Sequence, residues 1–557
     1  MAPSTRNPLP AGKLVLALVV LALLLRIPNL NQSVWFDEAC MSHQRVGTFE
    51  QLIATLFVDI HPPLFLSFMH FWGRLFGDGE VVMRLPALAA GLGSIPLIFA
   101  IGRRLLSERI GLLAALLASL STVHIWYSIE ARLYAPILFL ALLSVWLFHR
   151  RLDGAPKREW LAFFFTLVAM VGVHYYLATF LVVFTLLGLL ASKLGASRRT
   201  GVGITLTSSA VLLAILGFVA IKLSLAEFET SQGYMAGFTP AEAYRLLFQW
   251  GWTGNASAGG LAPGGGSSVA PWSLGWLLWV TLQILGVGLF LLGLRRVARE
   301  ARVRPQAWCL LAYLFCLPLF LQVLAWIGLE GTYIPRSAIP FLPFFLLVLA
   351  AGLDSIGKPK IRSATLALVL GLQVVNLAVF YARGDAWTVY KPHQDWRSAA
   401  AYFAGEIEAG GLGSAIFTTM PNQRSLSYYD ARIQTHSNLM PTANKVAAAQ
   451  DSFDRKLGTW LGAKLGSAAI HVAERVEATK AALLEDAKLQ LYPLGNGTLK
   501  GLDPELLRAN PVFYVLDNHW HPPGVPKVMP VLQNDSVTLV DRREFQGLTV
   551  YKLRVQP

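Results

Sequence analysis

Along the first 384 residues, apolar runs of bilayer length alternate with short, mostly basic connections. A helix crossing about 30 Å of hydrocarbon needs about 20 largely apolar residues. Eleven stretches qualify, near 12–29, 83–102, 110–127, 130–148, 159–175, 176–192, 203–223, 272–294, 306–327, 337–353 and 363–382. The pattern predicts an all-α polytopic membrane protein of about 11 spans. The first stretch reads as an uncleaved anchor, because no small-residue cleavage site precedes Trp35. PPLFLSFMHFWGRLF (62–76) is too short to cross at about 1.5 Å per residue and reads as an interfacial helix. Phe49, Leu52, Ile53 and Leu56 before it repeat at helical spacing and should also lie flat on the membrane.

Two outer loops follow from this reading, 30–82 and 224–271, the second carrying the flexible NASAGGLAPGGGSS with its Asn255-Ala256-Ser257 sequon. From 385 to 557 the text changes. Helical spacing over Trp396 to Ala409 gives way to short strand-like runs, SAIFTT, PVFYVLD, VTLVDRREF and LTVYKLRV. That predicts a small α/β domain beside a membrane domain of residues 1–384.

Charge sets the class and the orientation. Only 14% of the 557 residues are charged, against roughly a quarter in soluble proteins, so an ordinary soluble enzyme is excluded. Residues 385–557 hold 18 Lys/Arg and 17 Asp/Glu, whereas residues 1–384 hold 29 and 16. The net charge of +14 therefore sits in the hydrophobic part, as basic inner loops do, and not in a nucleic-acid groove. With the N-terminus cytoplasmic, 20 of the 29 basic residues fall inside and 11 of the 16 acidic ones outside. Eleven crossings then carry the tail to the extracytoplasmic side. Cys40, Cys309 and Cys316 form no disulfide framework and no CxxC pair.

The ionisable residues of the spans lie at their outer ends: Arg26, His124, Glu130, Arg132, His174 and Arg336. A coupled transporter would place carboxylates near mid-membrane; a cluster at one boundary suits chemistry on an interfacial head group. Asp37-Glu38 reads either as a general base or metal ligand, or plainly as a helix-start acid pair. Asp59-Ile60-His61-Pro62-Pro63 is a turn, or a helix start whose free N–H groups and His61 would suit a phosphate. Arg132 with Tyr134, and Arg336 with Tyr333, either snorkel and join an aromatic belt or hold an anionic head group. His174-Tyr175-Tyr176 has the same two readings. His519 and His521 are set aside as surface residues. No P-loop, GxSxG elbow, HExxH or dinucleotide fingerprint is found.

Read in order, WFDEA, HPPLF, RLPALAAGLG, IEARLYAPILFLALLS and YIPRSAIPFLPFFLLVLAAGL resemble the bacterial GT-C glycosyltransferases that use polyprenyl-phosphate sugars. Protein O-mannosyltransferases, lipid A aminoarabinose transferases and lipopolysaccharide-core galacturonosyltransferases are the relatives in mind. The resemblance covers most of residues 12–355, and DWRSAAAYF opens a tail like that family's variable outer domain. It implies Asp37 as catalytic base, Glu38 as its supporting neighbour, and Asp59 as a second acid or, with Asp37, a ligand of a divalent cation. It implies His61, Arg132, Tyr134 and Arg336 at the lipid phosphate; His174, Tyr175 and Tyr333, at the outer ends of their spans, are candidates to line the substrate.

The implied function is an integral-membrane inverting glycosyltransferase of the bacterial inner membrane. It would move a hexosyl or pentosyl group, mannose-like, from polyprenyl phosphate to a hydroxyl of a lipid, glycan or protein outside the membrane. Membrane lipids are its surroundings and nucleic acid is not a partner. The alternatives are a lipid or solute transporter, a non-catalytic scaffold or sensor, and an oligosaccharide ligase using a diphosphate-linked donor.

Overall fold

The computed structural model describes residues 10–35, 37–39, 41, 49, 52, 56, 61–156, 158–225, 238–253, 274–326, 335–381, 395–409, 414–418, 424–430, 432–435, 489–493, 512–518, 537–545 and 548–555. The helices at the N-terminal end are α1 (Ala11–Leu24), α2 (Ile27–Leu30), α3 (Pro63–Phe76), α4 (Glu80–Leu105), α5 (Glu108–Leu120), α6 (Thr122–Ser128), α7 (Tyr134–Leu152), α8 (Arg158–Val173), α9 (Ala178–Leu189) and α10 (Arg198–Leu225). After α11 (Pro240–Tyr244) and the π-helical turn Arg245–Trp252 come α12 (Leu274–Val303), α13 (Trp308–Trp326), α14 (Leu342–Asp354) and α15 (Pro359–Tyr381).

Every stretch read as a span holds a helix, but they are not alike. Among the described residues, seven helical segments are long and apolar enough to cross a membrane, or eight if the bent pair α5–α6 counts as one span. Helices α1, α8 and α9 have 14, 16 and 12 residues, and at about 1.5 Å each they fall short of a 30 Å core. Of the eleven expected crossings, seven or eight are full-length among the described residues. The protein is a multi-pass membrane protein of this helical kind.

Burial sorts the helices into layers. Helix α14 is buried at every position from Leu342 to Leu353, as a helix apolar on all sides must be when it forms the centre of a bundle. It packs closely on α12: a Cβ added at Gly293 would meet the backbone of Val348, and one at Gly352 the backbone of Leu289. Glycine is therefore required at this crossing, the small-residue packing that membrane helices favour. Helices α10 and α15, mostly unburied, form the lipid-facing rim.

Two local breaks shape the end that carries Asp37. Helices α5 and α6 meet at 64°, where Ser121 leaves the helical conformation and its side chain caps α6 by accepting from His124 N. The fourth apolar stretch then begins its helix at Tyr134 and not at Glu130, leaving 129–133 as irregular backbone. Helix α3 starts on Pro62-Pro63 and stops at Gly77, whose φ of +87° suits glycine alone without strain. Its 14 residues keep it too short to cross, as its length in the sequence implies.

The tail contains helix α16 (Trp396–Glu408), helix α17 (Arg424–Tyr429) and strands β1 (Ser414–Thr418), β2 (Ile433–Thr435), β3 (Leu489–Pro493), β4 (Val512–Asn518), β5 (Val537–Phe545) and β6 (Leu548–Val555). They form one sheet in the order β2-β3-β1-β4-β6-β5. The β2–β3, β3–β1 and β1–β4 pairs are parallel, and β4–β6 and β6–β5 antiparallel. Trp396, Ala399, Ala400, Phe403 and Ile407 recur at helical spacing and bury against Ile416, Tyr514, Leu516, Leu548 and Val550. This core is separate from that of the helical bundle.

Candidate active site

The site is built on an ion pair buried beneath it. Arg84, near the start of α4, forms a bidentate pair with Glu38 (Nε–Oε1 2.9 Å, Nη2–Oε2 2.6 Å), both side chains fully inaccessible. Its remaining N–H groups donate to the carbonyls of Leu30, Gln32 and Ser33, and Glu38 Oε1 also accepts from Ala131 N at 2.8 Å. One arginine and one carboxylate thereby tie three segments together: the chain leaving α2, the turn carrying Asp37, and the irregular stretch 129–133. A buried charge pair persists when its hydrogen-bonding capacity is met, as it is here. Glu38 faces Arg84 and is fully buried, so its carboxylate is taken up by the guanidinium and by Ala131 N.

Asp37, one residue earlier, faces the other way. Its Oδ2 lies 3.3 Å from Arg336 Nη1 and 3.8 Å from Arg132 Nη2. The three side chains are 17%, 28% and 13% exposed respectively, so the cluster is sheltered but reachable. Arg132 comes from the irregular stretch before α7 and Arg336 from the 3-10 turn leading into α14. Arg336 is also held over the ring of Tyr134 at 5.6 Å, a cation–π contact that fixes its direction. Tyr134 in turn packs edge-on against Tyr127 at 4.9 Å. Burial is the largest single effect on Arg132 and works against its cation, but Asp37, Tyr134 and Glu130 together outweigh it and hold the pKa above the usual guanidinium value.

Glu130, in the same irregular stretch, is 2% exposed, and its Oε1 has no hydrogen-bond partner. Burial pushes its carboxyl up to about 8 against the pull of Arg336, with Glu38 and Asp37 adding to the rise. Its protonated form is thus favoured to a higher pH than that of an ordinary glutamate.

The structure brings Asp37, Arg132, Tyr134 and Arg336 into one cluster and sets Glu38 behind it. His61 and His174 form a second group, with ring centroids 6.3 Å apart. His174 is buried and its Nδ1 accepts from Tyr176 N; Tyr175 follows it in the short 3-10 turn. Asp59 and Tyr333 lie outside the described residues. Among the described residues no group of three or more His, Cys, Asp or Glu gathers to hold a metal. Asp37 is flanked by two guanidinium groups, a field that opposes a divalent cation; Asp59, the other residue expected to hold one, is not among the described residues.

The sequence reading passed over Arg84 and gave Glu130 no role. For Arg84 the signal was present: a lone arginine inside the apolar text VVMRLPAL is a costly residue that needs a partner. The tail's contact was also unforeseen. Tyr429 OH accepts from Val34 N at 2.6 Å and also bonds Glu80. Arg397 pairs with Glu80 and donates to Asn31 O at 3.2 Å, and Tyr428 OH donates to Asp78 O at 2.8 Å. The tail is thereby latched to the loop that carries Asp37.

Residues 60–221 match the family model for dolichyl-phosphate-mannose-protein mannosyltransferase. None of the curated proteins matches the chain. Similar solved structures include ArnT from Cupriavidus metallidurans bound to undecaprenyl phosphate, at 12% identity and TM-score 0.44, covering 98% of each chain. Another is the Archaeoglobus fulgidus oligosaccharyltransferase AglB in complex with an inhibitory peptide and a dolichol-phosphate, at 13% identity and TM-score 0.46, covering 91% of this chain and 69% of that one. A third is the S. cerevisiae protein O-mannosyltransferase Pmt1-Pmt2 complex bound to the sugar donor, at 20% identity and TM-score 0.33; the match spans 39% of this chain and a third (33%) of that one. The family match bears out the resemblance to the GT-C glycosyltransferases over HPPLF, RLPALAAGLG and IEARLYAPILFLALLS, three of the five motifs that carry it.

Proposed function

We propose that this chain is a GT-C-type inverting glycosyltransferase that moves a sugar from a polyprenyl phosphate to a hydroxyl acceptor at the extracytoplasmic face of a bacterial inner membrane. The observation that carries the proposal is the carboxylate of Asp37, set between the guanidinium groups of Arg132 and Arg336 at one end of the helical bundle.

In this reading Asp37 Oδ accepts the proton of the acceptor hydroxyl as that oxygen forms its bond to the anomeric carbon. The bond from the anomeric carbon to the phosphate oxygen breaks on the opposite face, so configuration inverts and its electron pair leaves with the lipid phosphate. Arg132 and Arg336 meet the negative charge gathering on that phosphate, with His61 and the start of α3 alongside; preorganised donors of this kind contribute several kcal/mol. While the site is empty, Asp37 supplies the arginines' counter-charge. A donor phosphate would displace it and free its oxygen for the acceptor. Protonated Glu130 keeps the pair of arginines cationic overall, since a second carboxylate there would cancel them. Glu38 positions Asp37 through Arg84. No metal takes part in this sequence of events, and His174 and Tyr175 are assigned to the side of the sugar and acceptor.

The test is incubation of membranes containing the protein with individual polyprenyl-phosphate sugars, followed by mass analysis of lipid, glycan and protein fractions. A mass gain of one hexose, pentose or uronic acid in one fraction, dependent on the protein, supports the proposal and names sugar and acceptor. Passage of the lipid across the bilayer without covalent change would favour a transporter instead.

A further inference from the structure

At the end of the bundle opposite Asp37, the C-terminal turns of helices α4 and α7 line an open-mouthed cavity of about 450 Å³. Its charged lining is Arg103, Arg104, Arg150 and Asp153, and its walls include Phe99 and Trp146. Arg84 and Arg103 stand 19 residues apart on one helix, about 29 Å at 1.5 Å per residue, close to the thickness of the hydrocarbon core. The cavity therefore cannot share the phosphate proposed for Asp37, Arg132 and Arg336.

Its cations differ in how far they are neutralised. Arg104 makes a bidentate pair with Asp153, and Arg150 one with Glu159 at 2.7 and 3.2 Å. Arg103 reaches Glu108 only at 3.9 Å, with both side chains more than half exposed, so this pair is worth little. Two of the guanidinium groups are steadied over aromatic rings, Arg103 over Phe99 at 6.0 Å and Arg150 over Trp146 at 5.6 Å. With Arg104 held by Asp153 and Arg150 by Glu159, Arg103 is the least compensated charge of the lining, and the aromatic walls offer apolar surface directly beside it. Both walls are membrane-spanning helices, so the cavity opens at head-group depth. A basic pocket between spanning helices is suited to a lipid phosphate, because guanidinium matches its oxygens while the rings take the first acyl carbons.

We infer that this cavity is a binding site for the phosphodiester head group of an anionic phospholipid, in the leaflet opposite the one facing Asp37. The apolar walls favour a lipid over free phosphate. The site is separate from the transfer reaction, and its test does not depend on turnover.

The experiment compares delipidated wild-type protein, Arg103→Gln, and the double variant Arg103→Gln/Arg150→Gln, with Arg295→Gln as a basic residue outside the cavity lining. Each receives phosphatidylglycerol, phosphatidylcholine or inorganic phosphate, and bound lipid is counted by native mass spectrometry alongside the thermal midpoint. Wild type and Arg295→Gln should retain phosphatidylglycerol at least about tenfold more tightly than phosphatidylcholine, roughly 1.4 kcal/mol, and gain thermal stability from it alone. Arg103→Gln, at an exposed position that folding tolerates, should lose most of that preference and the double variant all of it. Equal retention of the two lipids by wild type would overturn the inference. So would an unchanged preference in both variants, or a stabilisation by inorganic phosphate equal to that by phosphatidylglycerol.

Discussion

Asp37 and Arg336 meet with Oδ2 and Nη1 3.3 Å apart, although one stands just after the first helices and the other just before the last helix but one of the membrane part. The bundle brings them to the same end, and Arg132 completes the cluster from a third segment. Their contact has a direct consequence for donor binding. Arg336→Ala should raise the KM for the polyprenyl-phosphate sugar by about tenfold or more, the loss of one charge-assisted contact, with a smaller change in the KM for the acceptor. Steady-state kinetics with each substrate varied in turn checks this; an unchanged donor KM would remove Arg336 from the phosphate site.

The Glu38–Arg84 pair makes a prediction about stability. Glu38→Gln strips the counter-charge from a fully buried guanidinium, which costs about 3–5 kcal/mol. Removing both charges as Glu38→Gln/Arg84→Met should cost less than the sum of the single changes, because no lone buried charge remains. Thermal unfolding of the detergent-solubilised protein measures the cycle. Additive losses would mean that the pair does not couple the loop to α4.

Glu130 predicts a pH dependence. Its folded pKa of about 8 lies above the ordinary value of 4.5, so between these values the unfolded chain has lost a proton that the folded chain keeps. Stability therefore falls as pH rises through that window and levels off above about 8. Ionisation above about 8 also puts a second carboxylate beside Arg132 and Arg336, so the donor KM should rise there. Glu130→Gln should flatten both profiles, as measured by thermal midpoints and donor KM from pH 5 to 9. A variant whose donor KM follows the wild-type curve would show that another group titrates.

The helical part was largely readable, since periods of apolar residues and basic connections are imposed by the bilayer itself. What the periods could not show is where a helix breaks. The stretch IEARLY reads as the start of a span, yet 129–133 is irregular because Ala131 N turns back to Glu38, a contact between segments distant in the sequence. Helix lengths were also overread: the apolar run of α1 continues as the separate short helix α2, and the stretch holding α9 opens as a 3-10 turn at Tyr175–Leu177. In the tail, α16 and the runs that became β1, β4, β5 and β6 were legible by pattern. The short strands β2 and β3 carry too few residues to stand out, and the latch of Tyr429 and Arg397 onto Glu80 leaves no local signal.

That latch yields its own expectation. Tyr429→Phe removes the acceptor for Val34 N and should lower stability by about 1–3 kcal/mol, the cost of leaving a sheltered donor unpaired. Hydrogen exchange at the Val34 amide should rise with it. An amide that stays equally protected would show that the loop is held without the tail.

Metal removal separates an arginine clamp from a cation-assisted one. Transfer by protein purified in EDTA should continue at the untreated rate, because the charge on the leaving phosphate is met by Arg132 and Arg336. Loss of activity restored by magnesium or manganese would assign that task to a metal.

Sugar transfer by Asp37→Asn bears most directly on the proposal. The amide preserves the shape of the side chain and removes the proton acceptor. Transfer from the polyprenyl-phosphate donor should fall by about 10²–10⁴-fold, while the amount of protein in the membrane and its thermal midpoint stay near wild type. Transfer at the wild-type rate by this variant would contradict the assignment of Asp37 as the base, and with it the reaction proposed for this end of the bundle.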